Sequence, residues 1–428
     1  MKTIERHESS VRGYCRSFPA VFDRAEGNHL YDEDGEAYLD FFAGAGALNY
    51  GHNPPELRAP LLDYLERGGV THSLDLATAA KQELLQTLHE VVLAPRGLEY
   101  RVQFPGPTGT NAVEAALKLA RKVTGHERVV FFTNAFHGMT LGSLAVTGNR
   151  AKRAAAGVPL GQGTPVPFDG YTAATDSLDL LDSLLADTSS GLDQPAAIIL
   201  ETVQAEGGVN VGSDRWLRGV AEIAARHGVL LIVDDIQVGC GRTGPFFSFE
   251  RAGITPDLVC LSKSLSGYGL PFSLVLIRPD LDQWAPGEHN GTFRGHNLAF
   301  VTATAALETY WRDAELETAT ARKAGVVRAR LEEIAADAGA CEVRGRGLIQ
   351  GIAFERTELA AAASRAAFER KLVIETAGPS DEVLKLLPPL TISDADLAVG
   401  LDRIAEAVQV ALARSDAGRS APLELATA

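Results

Sequence analysis

The chain has 428 residues, 46% hydrophobic and 22% charged, a balance that fits a soluble globular protein with a large core. A formal net charge of −15 argues against a nucleic-acid partner, and no apolar run is long enough to span a bilayer. The polar opening Met1–Ser10 carries no secretory pattern and Cys15, Cys240, Cys260 and Cys341 lack metal-ligand spacing, which predicts free thiols, no bound metal and a cytoplasmic location.

In chain order, residues 1–60 carry a short strand pair near Gly27–Asp40, with a turn at Asp32–Gly35. From 61 to 310, helices and strands alternate as a parallel sheet requires. Strands are predicted at Arg101–Phe104, Val129–Thr133, Ala197–Leu200, Val229–Val233, Leu258–Leu261 and Leu274–Ile277. A long helix follows from about Leu298 to Arg312. Residues 313–428 read as a smaller α/β lobe, with a helix through Ala324–Ala335, a strand at Gly347–Phe354 and a last helix near Asp394–Ala413. Ser415–Ala428 is small and polar, the composition of a loose tail.

Three segments in this plan carry chemistry. The loop Pro105–Asn111 opens a helix whose Val113, Ala116, Leu117 and Ala120 keep helical spacing. Thr110 or Asn111 suits its cap, with Glu114 three residues after Asn111 in a capping-box position. The N–H groups of Gly109 and Thr110, with the helix dipole behind them, suit a phosphate. Downstream, the apolar run Val229–Val233 ends on Asp234, and Lys263 follows the run Leu258–Leu261. In open α/β sheets the chemistry lies beyond the carboxyl ends of such strands. An aspartate and a lysine placed there can hold a pyridine ring from two sides, one at its nitrogen and the other in Schiff-base linkage to its aldehyde. The rival readings are a helix-capping aspartate and a solvated lysine. Of nine lysines, Lys263 is the one that follows a buried-strand pattern and enters a Gly-rich segment, Ser266–Pro271. Desolvation there would lower its pKa and make it a nucleophile.

Taken together, Gly109–Lys118, Asn134–Gly138, Asp234–Gly244 and Ser262–Ser264 resemble the class III aminotransferases, which are fold-type I enzymes dependent on pyridoxal 5′-phosphate. The likeness runs from about Tyr14 to about Leu401. It implies an α/β fold, with a large domain built on a mainly parallel seven-stranded sheet flanked by helices, plus a smaller α/β domain. The implied division gives residues 61–310 to the large, cofactor-binding domain, 1–60 and 311–414 to the small domain, and 415–428 to a flexible tail. More narrowly, Phe41–Asn53, Phe104–Asn111 and Gly287–Gly295 look like the branch of the class that works on diaminobutyrate and 2-oxoglutarate in ectoine synthesis.

The resemblance also implies roles. Lys263 becomes the Schiff-base lysine and proton shuttle, and Asp234 the partner of the pyridinium nitrogen. Gln237 is implied at the cofactor's phenolic oxygen, Ile236 and Phe136 on its two ring faces, and Gly109 and Thr110 at its phosphate. His137 and Glu201 are further candidates for cofactor contact. Thr292 resembles the residue that reaches the phosphate of a neighbouring subunit, which implies a homodimer or higher homo-oligomer with shared active sites. Glu206 and Lys385 are the candidate substrate gate, for small amino acids and 2-oxo acids. Three positions depart from the class pattern: Asp235 stands for Glu, Ala205 for Gly, and Lys385 for an Arg that would fork a carboxylate. The methyl of Ala205 falls where positive φ is expected to be needed. Still open are another ω-aminotransferase acting on ornithine or 4-aminobutyrate, a pyridoxal enzyme of a different reaction type, and a cofactor-binding protein without turnover.

Overall fold

Five of the seven strands of the central sheet are apolar runs of four residues with no polar face, as expected for strands covered on both sides. The computed structural model describes residues 1–172, 174, 176–339 and 341–420, the last four without side chains. In chain order its strands are β1 (Phe22–Glu26), β2 (His29–Asp32), β3 (Ala37–Asp40), β4 (Arg101–Gln103), β5 (Val129–Phe132) and β6 (Gly163–Val166). Next come β7 (Ala197–Leu200), β8 (Val203–Gln204), β9 (Asn210–Val211), β10 (Leu230–Asp234), β11 (Leu258–Leu261) and β12 (Leu274–Ile277). The C-terminal strands are β13 (Cys341–Arg346), β14 (Ile349–Phe354), β15 (Leu372–Val373), β16 (Glu375–Ala377) and β17 (Val383–Leu386).

The central sheet has the expected seven strands, ordered β4-β12-β11-β10-β7-β5-β6. All neighbours run parallel except β12, which is antiparallel to β11 and β4. Helix Gly109–Thr124 covers one face, packing Val113, Ala116, Leu117 and Ala120 against Val129, Ile199, Ile232, Cys260 and Val275. On the other face lies helix Asp214–His227, whose Trp216, Val220 and Ile223 join Phe132, Leu200, Leu231 and Val233. Two smaller sheets have the orders β1-β2-β3-β15 and β13-β14-β17-β16. The parallel pairing of β15 with β3 ties the N-terminal strands to the C-terminal part of the chain. Among the described residues no helix is long and apolar enough to cross a membrane.

Several strands lie outside the sequence reading, β8, β9, β13 and β15–β17 among them, and two further differences have a local cause. β6 is not among the predicted strands. It reads Gly-Thr-Pro-Val, buries only Val166 and forms the sheet edge, where a proline is tolerated. The last helix runs from Asp394 to Ser420 instead of ending near Ala413, so 415–420 is helical, while 421–428 lies outside the described residues. The polar composition there is overruled by tertiary contacts, since Arg356 hydrogen-bonds Ser415 and Asp416.

Segments distant in sequence are locked behind the sheet by Arg242, which is fully buried. Its guanidinium donates to the Leu348 carbonyl at 3.0 Å, the Pro388 carbonyl at 2.5 Å and Asn49 Oδ1 at 2.5 Å. Burial lowers its pKa to about 9, so the charge is kept at neutral pH. Arg242→Leu strands three buried acceptors and is expected to cost about 3 kcal/mol of stability, read as a lower urea midpoint at unchanged slope.

Candidate active site

The parallel register of β10 and β11 sets Asp234 beside Cys260, so the residues that leave both strands emerge at one edge of the sheet. A cleft of about 160 Å³ opens there. Gly109, Thr110, Phe136, His137, Glu201, Glu206, Asp234, Ile236, Gln237 and Lys263 all line it. Lys385 does not, but touches it through Glu206. Thr292 is exposed on a separate segment, where it contributes nothing to the cleft of its own chain.

At one end of the cleft, helix Gly109–Thr124 begins. Its cap is Thr108, not Thr110 or Asn111. Thr108 has the extended backbone a cap needs (φ −130°, ψ 161°), and its N–H donates to Asn111 Oδ1 at 3.1 Å in a capping box. Glu114 instead accepts the Ser143 N–H at 3.1 Å and the Thr140 hydroxyl at 2.5 Å. Gly109 and Thr110 are thus the first helical residues, and their N–H groups have no intrahelical acceptor. The space around them is tight: a Cβ on Gly109 would lie 3.0 Å from Ile236, and one on Gly138 would lie 2.6 Å from Thr110 Oγ1.

At the opposite end is a buried acid held by a histidine. His137 Nδ1 lies 2.7 Å from Asp234 Oδ2, and the imidazole side chain is fully buried. The second Asp234 oxygen accepts the Ile236 N–H at 3.2 Å. Glu201 accepts the Phe136 N–H at 3.1 Å. Burial and the charge of Asp234 push Glu201 well above the usual carboxylate range, which favours its neutral form. Asp235 points the other way. Its carboxylate accepts the Ser248 hydroxyl and, at 3.1 Å, the Ser248 N–H, and burial raises it to about 7. It closes the loop after β10, a duty for which the shorter carboxylate suffices.

Lys263 begins a short 3₁₀ turn with φ +53°, a left-handed conformation that a non-glycine residue adopts only when its surroundings enforce it. The enforcement is visible next door: Ser264 Oγ donates to the Gly46 carbonyl at 2.6 Å and accepts the Asn49 N–H at 3.2 Å. Burial pushes the Lys263 ammonium below its ordinary pKa, against the opposing pull of Glu206. Gln237 Nε2 donates to the Ala45 carbonyl at 2.7 Å and to Glu206 Oε1 at 3.2 Å. Ala205 is buried in an ordinary backbone conformation; positive φ falls on Gly208 (+112°) and Val209 (+57°) instead, so the methyl is accommodated.

Lys385 has no exposed side-chain surface and lies 2.7 Å from Glu206 Oε1 and 3.0 Å from Glu375 Oε1. Glu375 is absent from the sequence reading. Its signal is a carboxylate directly after the apolar run Leu372–Ile374, which a solvated charge would not occupy. Likewise the sequence offers His137 only as a neighbour of Phe136, with nothing to pair it with Asp234.

The family model described as aminotransferase class-III matches residues 12–408. The chain belongs to the class III aminotransferases. It is 62% identical over 406 residues to a diaminobutyrate–2-oxoglutarate transaminase of Nocardia farcinica, covering 95% of this chain and 93% of that one. A relative of the same description from Streptomyces anulatus is 59% identical over 411 residues, covering 96% and 98%. Among solved structures, the ornithine aminotransferase of Toxoplasma gondii, with PLP in partial occupancy at its active site, is 26% identical with a TM-score of 0.85, covering 97% of this chain and 94% of that one. The fold is that of fold-type I aminotransferases.

For this class III aminotransferase, Asp234→Asn keeps the shape of the site but replaces a buried charge by a neutral amide. Turnover is expected to fall at least about 100-fold in steady-state assays, comparable to losing one strong electrostatic contact. Near-normal turnover would transfer the role to another acid.

Proposed function

We propose that the cleft binds pyridoxal 5′-phosphate between Asp234 and Lys263 and exchanges an amino group between L-2,4-diaminobutyrate and 2-oxoglutarate. The products are L-aspartate 4-semialdehyde and L-glutamate, and in the direction of diaminobutyrate supply for ectoine synthesis glutamate is the donor. The observation that carries the substrate assignment is 62% identity, over 95% of the chain, to a diaminobutyrate–2-oxoglutarate transaminase.

The residues present fit the cofactor. Bare N–H groups at Gly109 and Thr110 and the Thr110 hydroxyl suit its phosphate. Phe136 and Ile236 offer apolar surface for its two ring faces, and Gln237 an amide for its phenolic oxygen. When bound, pyridoxal phosphate supplies an aldehyde that receives the amino group and a protonated ring that withdraws electrons from the adjacent carbon. Asp234 must then stay ionised to hold a proton on the ring nitrogen, and His137, 2.7 Å away, fixes its direction. Glu201, favoured in its neutral form, adds no competing negative charge beside it. Lys263, its pKa lowered by burial, loses its proton readily. Nζ would hold the group as a neutral amine and, once displaced by the incoming substrate amine, would take a proton from the substrate carbon and return it two atoms along, at the carbon that had borne the aldehyde.

One cleft must admit two substrates of different charge. Glu206 and Lys385 form the gate: Glu206 meets the ammonium that the diamine keeps while its terminal amine reacts, and a dicarboxylate takes its place beside Lys385. A second subunit, reached by the exposed Thr292, completes the phosphate site in a homodimer or larger homo-oligomer, and the enzyme works in the cytoplasm.

A coupled glutamate assay tests the substrate assignment. Diaminobutyrate is expected to exceed ornithine and 4-aminobutyrate in kcat/KM by at least about 100-fold, and comparable values would contradict it. Single-turnover spectroscopy tests the gate. Glu206→Gln is expected to slow the diamine half-reaction while sparing the one with 2-oxoglutarate, and Lys385→Gln to raise the apparent KM for the dicarboxylate. Equal factors on both half-reactions would mean that pocket shape alone sets specificity.

A further inference from the structure

Strands β16 and β17 pair antiparallel with Glu375 directly across from Lys385. The backbone register thus fixes Glu375 to the lysine, whose Nζ lies 3.0 Å from its Oε1. Glu206 approaches the same ammonium from the loop between β8 and β9, at 2.7 Å, and is the more exposed partner, at 19% against 5% for Glu375. Of the two carboxylates, Glu206 is the one open to the cleft, where Gln237 also donates to it, and Glu375 is held by the strand pairing. An ammonium with no exposed surface keeps its charge only with a counter-ion beside it.

We propose that Glu375 is a specificity-determining residue acting through Lys385: it takes a proton from solvent when the substrate end entering beside Lys385 is a lone carboxylate, and releases it when an ammonium accompanies that carboxylate. The proposal rests on the reading that one cleft takes both a diamine and a dicarboxylate. The groups facing Glu375 are Lys385, Glu206 and Lys263, together with the Tyr14 phenol, which hydrogen-bonds it. Lys385 stays charged, because its two carboxylates raise its pKa against the opposing effect of burial. Burial raises Glu375 to about 7, with Lys385 opposing and Glu206 adding to the rise. In Glu206 burial is outweighed by Lys385 and Lys263, which take it down to about 2. Glu375 is therefore the member of the triad that titrates near neutral pH. With Glu375 protonated the triad is neutral; with it ionised the triad carries one net negative charge. A dicarboxylate then binds better on the acid side of about pH 7, and a substrate end that also carries an ammonium on the alkaline side.

Glutarate, a dicarboxylate without a reactive carbonyl, is the probe. It is titrated into the wild-type holoenzyme by calorimetry, in two buffers of different ionisation heat. Expected are fractional proton uptake on binding and roughly five- to tenfold weaker affinity at about pH 8 than at about pH 6. Glu375→Gln is expected to bind glutarate without uptake or pH dependence. Infrared difference spectra of the wild type, which need no variant, are expected to gain a protonated-carboxyl band on glutarate binding. Failure to bind, a flat wild-type profile without uptake, or an unchanged profile in Glu375→Gln would each overturn the proposal. Glutarate linkage without diaminobutyrate turnover would sink the substrate reading and sustain the role of Glu375; turnover without linkage would sink Glu375 alone.

Discussion

The site depends on one constraint, the parallel register of β10 with β11. Because Asp234 lies beside Cys260, the two strands end level and deliver an acid and a lysine to the same edge of the sheet. A register slip of one residue would turn Asp234 toward the face that Asp235 now occupies, where Ser248 waits. The strands have no freedom to slip, since every residue of both is buried and packed from two sides. The apolar core and the placement of the chemistry are therefore the same problem solved once.

Around that edge, charge is introduced only where a partner or a neutral form relieves the cost of burial. Asp234 has His137, and Lys385 has Glu206 and Glu375. In Glu201 burial and the charge of Asp234 outweigh Lys263 and drive it toward its neutral form. At Lys263 burial outweighs the pull of Glu206, so this amine gives up its proton more easily than a solvated lysine does. Its positive φ is enforced by the Ser264 bonds to Gly46 and Asn49, which join the turn to the N-terminal part of the chain. The small sheet that holds β17 is thus more than a scaffold: through Lys385 and its bond to Glu206 it reaches the same cleft, where Ala45, just after β3, accepts from Gln237.

Much of this was legible in the sequence, for a physical reason. Buried parallel strands read as unbroken apolar runs, so their charged ends stand out, and Asp234 and Lys263 are found by that contrast. The helix at Gly109 was legible from its periodicity, but its cap was not, because Thr108, Thr110 and Asn111 are all competent caps and only the backbone conformation chooses Thr108. β6 escaped because an edge strand with Gly163 and Pro165 has neither alternation nor an apolar run. The pairing of His137 with Asp234, across 97 positions, and of Glu375 with Lys385 depends on tertiary placement and strand register, which leave no local signature. The concern over Ala205 came from assigning positive φ to the wrong residue of a Gly-rich loop, three positions before Gly208.

The central claim is that Lys263 and Asp234 hold a pyridoxal cofactor between them at the carboxyl edge of the sheet. Borohydride reduction of the cofactor-loaded protein, followed by peptide mapping, tests it most directly. The account predicts that the pyridoxyl group is found on Lys263, in the peptide that follows β11. Its recovery on any other of the nine lysines would contradict the account.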